Sequence, residues 1–504
     1  MSELFDKNSR KRIKSAPFDG AAISSAADKS IILVGLGPHA KRIYMHYLRK
    51  HNISPALIVE LDSKRSEVES YLASNNLEVE TAYIADRERD NEELSPSVQA
   101  ELKRLIEKLG ITHVILSTEP KAHYAYLKFF LRQNVSILTD KPITAPNHVS
   151  TDKKMALRIA EEYEELLDLY KIARENGARC EVQCQRRWHE GYRYVRNILA
   201  ECIRQTGIPI TRMDIHHCDG MWNMPNEFIF RENHPYKYGY GKLFHSGYHF
   251  IDLMCWLIKL NEPLDTKTSD SVELYAAATR PDDFMEIFNR SDYRNLFGAN
   301  LFEHEFRLRE KGYFDSFGET DFFGLMQFKR NERVITTCSL SLMQTGFSRR
   351  SWIQLPPDTY KSNGRVRHER LDVQIGHLMN IQVHSYQSKE IKERKPDDTH
   401  DVGLLEHFDI YIFRNSDLIG GKPFEKIGIT DLLGRQSIET KSFIGYNEKA
   451  RENCLIGFLN NLSEYSDLTD HHLTVKVLTN AYLSLCQRHE GSSPIVKFKV
   501  EKRV

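Results

Sequence analysis

Hydrophobic positions in the first third of the chain alternate between short unbroken runs and helical spacing. The run Ile31 to Val34 is entirely apolar, as is typical of a strand buried on both faces of a parallel sheet. The pattern then predicts helices at 38–50, 95–109 and 121–133 and strands at 56–61, 112–117 and 135–139. This alternation predicts right-handed βαβ crossovers in a doubly wound parallel sheet.

The pattern changes in the second half of the chain. A long helix at 153–176 and a strand at 178–184 lead out of the first region. Strand-type runs with polar alternation follow at 211–216, 322–328, 333–342 and 371–384, which is typical of a mostly antiparallel sheet with one solvated face. Residues 281–317 break this rhythm and predict a helical insertion, and amphipathic helices at 452–465 and 473–488 close the chain.

Composition narrows the function classes. Lys plus Arg and Asp plus Glu each number 70, so the formal net charge is zero, and neither nucleic acid nor an acidic membrane is an expected partner. No run approaches the roughly 20 apolar residues of a spanning helix, and no apolar segment follows the charged N-terminus. We therefore expect a cytoplasmic protein. Its eight cysteines lack any C-x-x-C spacing, which indicates reduced thiols and no zinc site.

A glycine-rich turn follows the first strand. Gly35 and Gly37 begin a G-x-G-x-x-A pattern that runs into a helix through Pro38 and His39. In this context the first glycine allows a tight turn, the second lets the backbone approach a pyrophosphate, and the helix N-terminus offers N–H groups to the phosphates. These four residues are candidate cofactor-binding residues, although the same motif also occurs as a purely structural turn.

An acidic strand end lies about 20 residues further on. Glu60 or Asp62 can accept hydrogen bonds from the adenosine ribose, and the sequence does not choose between them. Such a carboxylate favours NAD, whereas the neighbouring Ser63, Lys64 and Arg65 could bind the extra phosphate of NADP. Solvent-facing carboxylates are the alternative interpretation.

The next two strand ends carry further polar residues. Ligands in such sheets bind outside the carboxyl ends of the strands. The candidate cofactor contacts there are Ser117, Thr118, Glu119, His123, Asp140 and Lys141.

These stretches resemble the Gfo/Idh/MocA oxidoreductase family, with its T-P-x-x-x-H and E-K-P signatures in order. The likeness continues in residues 185–188 (QRRW), similar to the family's Q-R-R-F. It also includes residues 241–253, similar to G-x-L-x-D-x-G-x-H-x-x-D-L, and a closing helical region at 458–491. The likeness covers nearly the whole ordered chain, although 260–450 matches loosely.

The resemblance implies an α/β fold with two main domains. We expect a mobile arm at 1–29, a Rossmann NAD(P)-binding domain at 30–150 and a linking helix and strand at 151–185. An α+β domain with an open, mostly antiparallel sheet would occupy 186–504. The resemblance also implies a homodimer or homotetramer.

The implied activity is hydride transfer between a nicotinamide cofactor and a hydroxyl or keto group of a sugar, cyclitol or sugar derivative. This chemistry needs positive charge at the developing alkoxide and a base for the hydroxyl proton. The resemblance assigns these roles to Lys141 and His249. A non-catalytic dinucleotide-binding regulator and a redox-assisted lyase or glycoside-cleaving enzyme of the same fold remain alternatives.

Departures from the family pattern concern the substrate. His245 stands where the family has Asp, which favours either an anionic substrate or a repacked environment. His245 and His249 at i, i+4 also suggest a metal, but Ser246 replaces the Glu of H-E-x-x-H, so no metal is predicted. Arg187 and Trp188 are candidate substrate contacts beside His245, with core positions as the alternative. Glu119, where the family commonly has Pro, is unexplained.

Overall fold

The computed structural model of the protein describes residues 29–232, 234–298, 300–346, 348–349, 367–387, 408–434, 445–462 and 466–500. The predicted arm at 1–29 lies outside these residues except for Lys29.

Six strands and the helices between them form the first domain. They are β1 (Ile31–Val34), α1 (Pro38–Ala40, Lys41–Met45 and His46–Lys50 in succession), β2 (Leu57–Leu61), α2 (Arg65–Ser74), β3 (Glu80–Ile84), α3 (Pro96–Leu109), β4 (His113–Leu116), α4 (His123–Arg132), β5 (Ser136–Thr139), α5 (Lys153–Glu175) and β6 (Cys180–Val182). Short 3₁₀ turns occupy Asp62–Lys64, Asp86–Asp90 and Pro120–Ala122.

These strands form one parallel sheet in the order β3-β2-β1-β4-β5-β6. This is the strand order of a doubly wound dinucleotide-binding sheet, which confirms the predicted fold of the first domain. β1 and β4 are buried along their whole length because helices cover both faces of the sheet. Its sixth strand lies in the segment predicted to link the domains, and the helix α2 and strand β3 were not predicted.

The second domain follows β6. Its elements are α6 (Gln185–Trp188), α7 (Glu190–Thr206), β7 (Arg212–Trp222), α8 (Glu227–Phe230), α9 (Tyr248–Ile258), β8 (Ser271–Thr279), α10 (Pro281–Ile287), α11 (Arg290–Phe297), α12 (Glu303–Glu310), β9 (Asp321–Arg330), β10 (Arg333–Thr345), β11 (Ser348–Arg349), β12 (Arg367–Ile375), β13 (Met379–Gln387), β14 (Phe408–Arg414), α13 (Ser416–Ile419), β15 (Phe424–Gly428), α14 (Ile429–Leu433), α15 (Tyr446–Leu459), α16 (His472–His489) and β16 (Ile495–Lys499). A π-helical turn at Leu243–Gly247 leads directly into α9, and 3₁₀ turns occupy Lys259–Lys267 and Leu468–His471.

The second sheet runs in the order β15-β14-β13-β12-β7-β10-β9-β8-β16, with β11 beside β7. Its pairs are antiparallel except where β7 lies parallel to β10 and to β11, so the expected open and mostly antiparallel sheet is confirmed. The run predicted at 371–384 is a hairpin rather than one strand, because Gly376 adopts φ +47° in the turn between β12 and β13. Helices α7, α9 and α16 pack on one face of the sheet.

The insertion at 281–317 is helical, as the sequence predicts, and it has its own apolar core. Phe284, Met285, Tyr293 and Phe306 pack there with Phe228 and Tyr236 from the segment between β7 and α9. The insertion is therefore attached to the segment that leads into the π-helical turn.

Helix α15 returns from the end of the chain to the first domain. Its buried residues Cys454 and Phe458 pack in the same cluster as Ile31 and Leu33 of β1. All eight cysteines are buried and free, as expected of reduced thiols. Among the described residues, no helix is both long enough and apolar enough to cross a membrane.

Candidate functional site

The glycine turn after β1 has the geometry that the motif requires. Gly35 adopts φ +87°, and a Cβ atom there would lie 2.5 Å from the carbonyl oxygen of Ser117, so only glycine fits. A Cβ on Gly37 would meet no atom of the described residues within 4 Å, so the turn faces open space in the described part of the structure. Pro38 and His39 form the first turn of α1 at the edge of that space. The turn therefore fits a bound pyrophosphate.

Glu60 and Asp62 lie in different environments. The Glu60 carboxylate accepts the backbone N–H of Leu36 in the glycine turn at 2.7 Å and that of Leu61 at 2.8 Å. Asp62 is 59% exposed and pairs with Arg65 at 2.7 Å. The structure thus brings Glu60, and not Asp62, to the glycine turn.

A hydrogen-bond network joins the ends of β4 and β5 to α1. Asp140 accepts the hydroxyl of Tyr44 at 2.6 Å and that of Ser117 at 2.7 Å, and the imidazole of His39 lies 3.7 Å away. Tyr44 carried no signal in the sequence, because its role depends on α1 packing against β5. This network fixes the strand ends relative to the glycine turn.

His123 is a buried connection between two loops. Its Nδ1 lies 2.7 Å from the carbonyl oxygen of Pro142, and its Nε2 lies 3.3 Å from that of Thr118. Burial lowers the pKa of His123, so one neutral tautomer is favoured and only one ring nitrogen donates. His123 and Thr118 therefore position the loop that carries Lys141.

Glu119 lies on the other side of Thr118. Its carboxylate is 3.8 Å from the ammonium group of Lys121, and burial raises its pKa.

Lys141 links the first domain to the π-helical turn. Its ammonium group donates to the carbonyl oxygen of His245 and lies 3.5 Å from that of Phe244. Burial lowers the pKa of Lys141 to about 8. The structure therefore brings Lys141 from the end of β5 to the helical segment that carries His245 and His249.

His245 and His249 are buried beside this lysine. Their side chains are 2% and 6% exposed, and burial together with the charge of nearby cations, including Lys141, lowers the pKa of both well below the usual value. Both imidazoles are therefore neutral near pH 7. Within the described part of the chain, the two ring nitrogens of His245 and Nδ1 of His249 have no hydrogen-bond partner.

The segment between β7 and α9 covers His245. His234 stacks on the His245 ring at 4.8 Å, and the rings of Tyr236 and Tyr240 contact it edge-on at 5.5 and 6.0 Å. His234 adopts φ +61°, which is uncommon for a residue other than glycine. Sequence reasoning missed His234, because an imidazole in an irregular segment has no recognisable pattern.

A second group of polar residues lies beneath the π-helical turn. The fully buried ammonium group of Lys242 lies 2.7 Å from Asp219 Oδ2, 2.9 Å from Ser246 Oγ and 3.1 Å from His217 Nδ1. The guanidinium group of Arg367 is 3.6 Å from the same Asp219. Lys242, Asp219 and His217 were not predicted, since strands β7 and β12 bring together positions far apart in sequence.

Arg187 and Trp188 occupy core positions. The guanidinium group of Arg187 forms two hydrogen bonds to Asp252, at 2.8 and 2.6 Å, and Arg187 is 1% exposed. Trp188 is 0% exposed, and a Cβ on Gly457 of α15 would lie 2.3 Å from its ring. These placements favour structural roles over the predicted substrate contacts.

One buried cluster among the described residues has metal-ligand atoms, namely Cys184, Asp252 and His471. Its Asp252 carboxylate already binds the Arg187 guanidinium and lies 3.1 Å from His471 Nδ1. The place of a cation is therefore taken by an arginine, and the donor set does not fit a metal ion.

No protein-family model matches the chain, and no curated protein matches it. Solved structures, by contrast, match most of the chain. An oxidoreductase from Agrobacterium radiobacter in complex with NAD⁺, L-tartaric acid and magnesium is 11% identical, with a TM-score of 0.55 over 94% of this chain and 98% of its own. The WlbA dehydrogenase from Bordetella pertussis, in complex with NADH and UDP-GlcNAcA, is 12% identical, with a TM-score of 0.51 over 94% and 98%.

An aldose-aldose oxidoreductase from Caulobacter crescentus is 14% identical, with a TM-score of 0.50 over 94% of this chain and 100% of its own. At these identities the likeness concerns the fold. It confirms the fold that the sequence motifs imply. The chain has the two-domain fold of these oxidoreductases, in agreement with the fold that the resemblance to the Gfo/Idh/MocA family implies.

Proposed function

We propose that the protein is an NAD-dependent oxidoreductase that acts on a hydroxyl or keto group of a sugar or sugar derivative. The observation that carries this proposal is the meeting of Lys141, from the end of β5, with the helical segment that carries His245 and His249. The solved structures of the same fold support it, since two of them hold NAD⁺ or NADH. The A. radiobacter and B. pertussis structures also hold a hydroxy acid and a sugar nucleotide, respectively.

The residues at the glycine turn fit a dinucleotide. Gly37 leaves open space at the start of α1, and Glu60 is held at the turn with a carboxylate that can accept ribose hydroxyls. The residues that could bind an extra phosphate have other partners. Ser63 donates to Asp86, Lys64 lies 3.5 Å from Glu67, and Arg65 pairs with Asp62. This arrangement favours NAD over NADP.

A bound nicotinamide supplies the hydride acceptor or donor. The chain's own residues supply charge and proton transfer. Lys141, with a pKa of about 8, carries a positive charge near pH 7 that stabilises negative charge on the substrate oxygen. His249 is neutral at that pH and can accept the hydroxyl proton. Burial excludes bulk water and strengthens both interactions.

The test of this function is a titration of nucleotide-free protein with NADH and with NADPH. Nicotinamide fluorescence is followed before and after addition of a panel of sugars and sugar acids. We expect micromolar binding of NADH and a response or turnover with at least one member of the panel. Absence of binding by either cofactor would overturn the proposal. Product release without net NADH formation would instead support the lyase alternative.

A matched pair of variants tests the role of Glu60 in the choice of cofactor. Glu60→Gln removes the charge held at the glycine turn and is expected to weaken NADH binding about tenfold, since a hydrogen bond to a charged group contributes about 1.5–3 kcal/mol. Asp62→Asn changes an exposed carboxylate and should leave the NADH dissociation constant unchanged. Equal effects of the two variants would contradict the assignment of Glu60.

We also propose that the protein self-associates through the open face of the second sheet. Phe323 and Leu325 of β9 are 46% and 58% exposed on that face. Sedimentation velocity should show a dimer or tetramer, and Leu325→Lys should shift it toward monomer. A monomeric wild-type protein at micromolar concentration would contradict this proposal.

A further inference from the structure

Three neighbouring side chains in the π-helical turn, the segment before it and the helix after it have buried polar atoms without partners among the described residues. Both ring nitrogens of His245, Nδ1 of His249 and the hydroxyl of Tyr240 are buried and make no hydrogen bond to any residue that the structure describes. Leaving such an atom unsatisfied costs about 1–3 kcal/mol, so isolated cases are uncommon in folded proteins. One ligand bound beside these three neighbouring side chains would supply the missing partners.

The charges around His245 are mostly positive. Lys141, Arg231 and Lys242 lie close enough to lower its pKa, and the carboxylate of Asp219 opposes them. Asp219 is itself shared, at 2.7 Å from the ammonium group of Lys242 and 3.6 Å from the guanidinium group of Arg367. The hydrogen bonds of Lys141 go to backbone carbonyl oxygens of the π-helical turn rather than to a carboxylate.

The residue at position 245 determines the sign of the net charge in this part of the site. The family motif that the sequence resembles has Asp here, whose charge would offset Lys141 and repel an anion. The neutral imidazole of His245 removes that negative charge and offers one N–H donor. A substrate anion would therefore be attracted to the site rather than repelled.

We propose that the substrate carries an anionic oxygen group, either a carboxylate or a phosphate ester, which binds at His245 on the side of Tyr240 and Arg231. The reacting hydroxyl then lies toward Lys141 and His249. This inference rests on the proposed function and narrows its substrate class to acidic sugars.

The helical insertion supports the side of the site that Arg231, His234 and Tyr236 form. Tyr236, which contacts His245, packs on Phe228, and Phe228 contacts Phe284 of the insertion. Trp222 at the end of β7 donates to the hydroxyl of Tyr293, also in the insertion, at 3.2 Å. The insertion therefore fixes the segment that carries Arg231 and His234.

The experiment compares His245→Asp with His245→Asn, two side chains of nearly equal shape that differ in charge. Protein saturated with NADH is titrated with D-glucuronate and D-glucose 6-phosphate, and with uncharged D-glucuronamide and D-glucose. We expect the wild type to bind one acidic probe at least about tenfold more tightly than its uncharged counterpart. His245→Asn should keep this preference, and His245→Asp should reduce it by about tenfold or more. The acidic probe that binds identifies the carboxylate or the phosphate ester as the group.

Equal preferences in the two variants would overturn the inference, as would tighter binding of the uncharged sugars by the wild type. In the latter case NADH binding and sugar turnover would leave the proposed function intact. NADH binding without a response to any of the four probes would overturn the acidic-sugar class. Loss of NADH binding in the wild type would instead overturn the function itself. If His245→Asp does not fold, Arg231→Gln against Arg231→Lys gives the same comparison, with the preference lost only in Arg231→Gln.

Discussion

The site has a cofactor end, at Glu60, Asp140 and His123, and a proposed substrate end, at His245 and Tyr240. The two ends differ in how far their polar groups are paired in hydrogen bonds. At the cofactor end, Glu60 accepts two backbone N–H groups, Asp140 accepts two hydroxyls, and His123 bridges two loops. At the substrate end, His245 and Tyr240 are more deeply buried than Glu60 and Asp140, but they have polar atoms without hydrogen-bond partners among the described residues.

This difference separates positioning from binding. Polar groups that satisfy one another hold the glycine turn and the strand ends in place before any ligand arrives, which reduces the cost of ordering them on binding. Polar groups left unsatisfied destabilise the free protein until a ligand completes them. Under the proposed function, the first domain would hold the cofactor and the second would select the substrate.

The largest expected effect concerns the Arg187–Asp252 pair, which is fully satisfied although it lies in the second domain. Arg187→Met leaves a buried carboxylate without its main cation and should lower the free energy of unfolding by about 3–5 kcal/mol. Urea denaturation measures this loss. The double variant Arg187→Met/Asp252→Leu should recover much of the stability. A stable Arg187→Met protein that loses only substrate binding would restore the sequence-based assignment of Arg187 as a substrate contact.

Lys141 follows β5 at the cofactor end and donates to the π-helical turn at the substrate end. Its replacement therefore tests the contact between the two ends. Lys141→Met should reduce turnover about 10²–10³-fold, the usual effect of removing one group that stabilises transition-state charge, and leave NADH affinity nearly unchanged. Steady-state kinetics and a fluorescence titration measure the two quantities. Lys128→Met is the control, because Lys128 is a buried lysine of α4 paired with Glu93 and Glu165. Wild-type turnover in Lys141→Met would remove Lys141 from the mechanism.

The sequence predicts the cofactor end better than the substrate end for a physical reason. Gly35, Glu60 and Asp140 lie at the carboxyl ends of strands whose order is set by local βα alternation, so their meeting at one sheet edge follows from the pattern. His234 and the Lys242–Asp219 pair depend on an irregular segment and on strand pairing over long separations.

Arg187 shows the limit of a motif taken by itself. The resemblance gave its position, but only the structure shows that Asp252, 65 residues away, accepts both of its hydrogen bonds. Lys141 and His249 were both predicted because each lies in a motif of its own. Nothing in the sequence indicated the π-helical turn that lies between them in the structure.

The charge of Lys141 predicts a pH dependence. Because burial lowers its pKa to about 8, the protonated form predominates below that pH and is lost as the pH rises through it. We expect turnover of bound substrate to fall about tenfold per pH unit above pH 8, since only the cation stabilises the developing negative charge. Lys141→Arg, which stays protonated, should remove this limb of the profile even if its maximal rate is low. An unchanged limb in Lys141→Arg would assign the pH dependence to another group.

The smallest expected effect concerns the two glycines of the turn. It distinguishes Gly35, which the turn itself requires, from Gly37, which leaves room for the ligand. Gly35→Ala forces a Cβ against the Ser117 carbonyl at a positive φ and should lower stability by about 1–3 kcal/mol without any cofactor present. Gly37→Ala meets no atom in the free protein, so its melting temperature should match the wild type, while NADH affinity falls about tenfold because the new methyl group occupies the space of the pyrophosphate. Thermal melts and NADH titrations of both variants measure this contrast. Unchanged NADH affinity in Gly37→Ala would mean that the open space in front of the turn is not where the pyrophosphate binds, and the cofactor end would then be a structural turn.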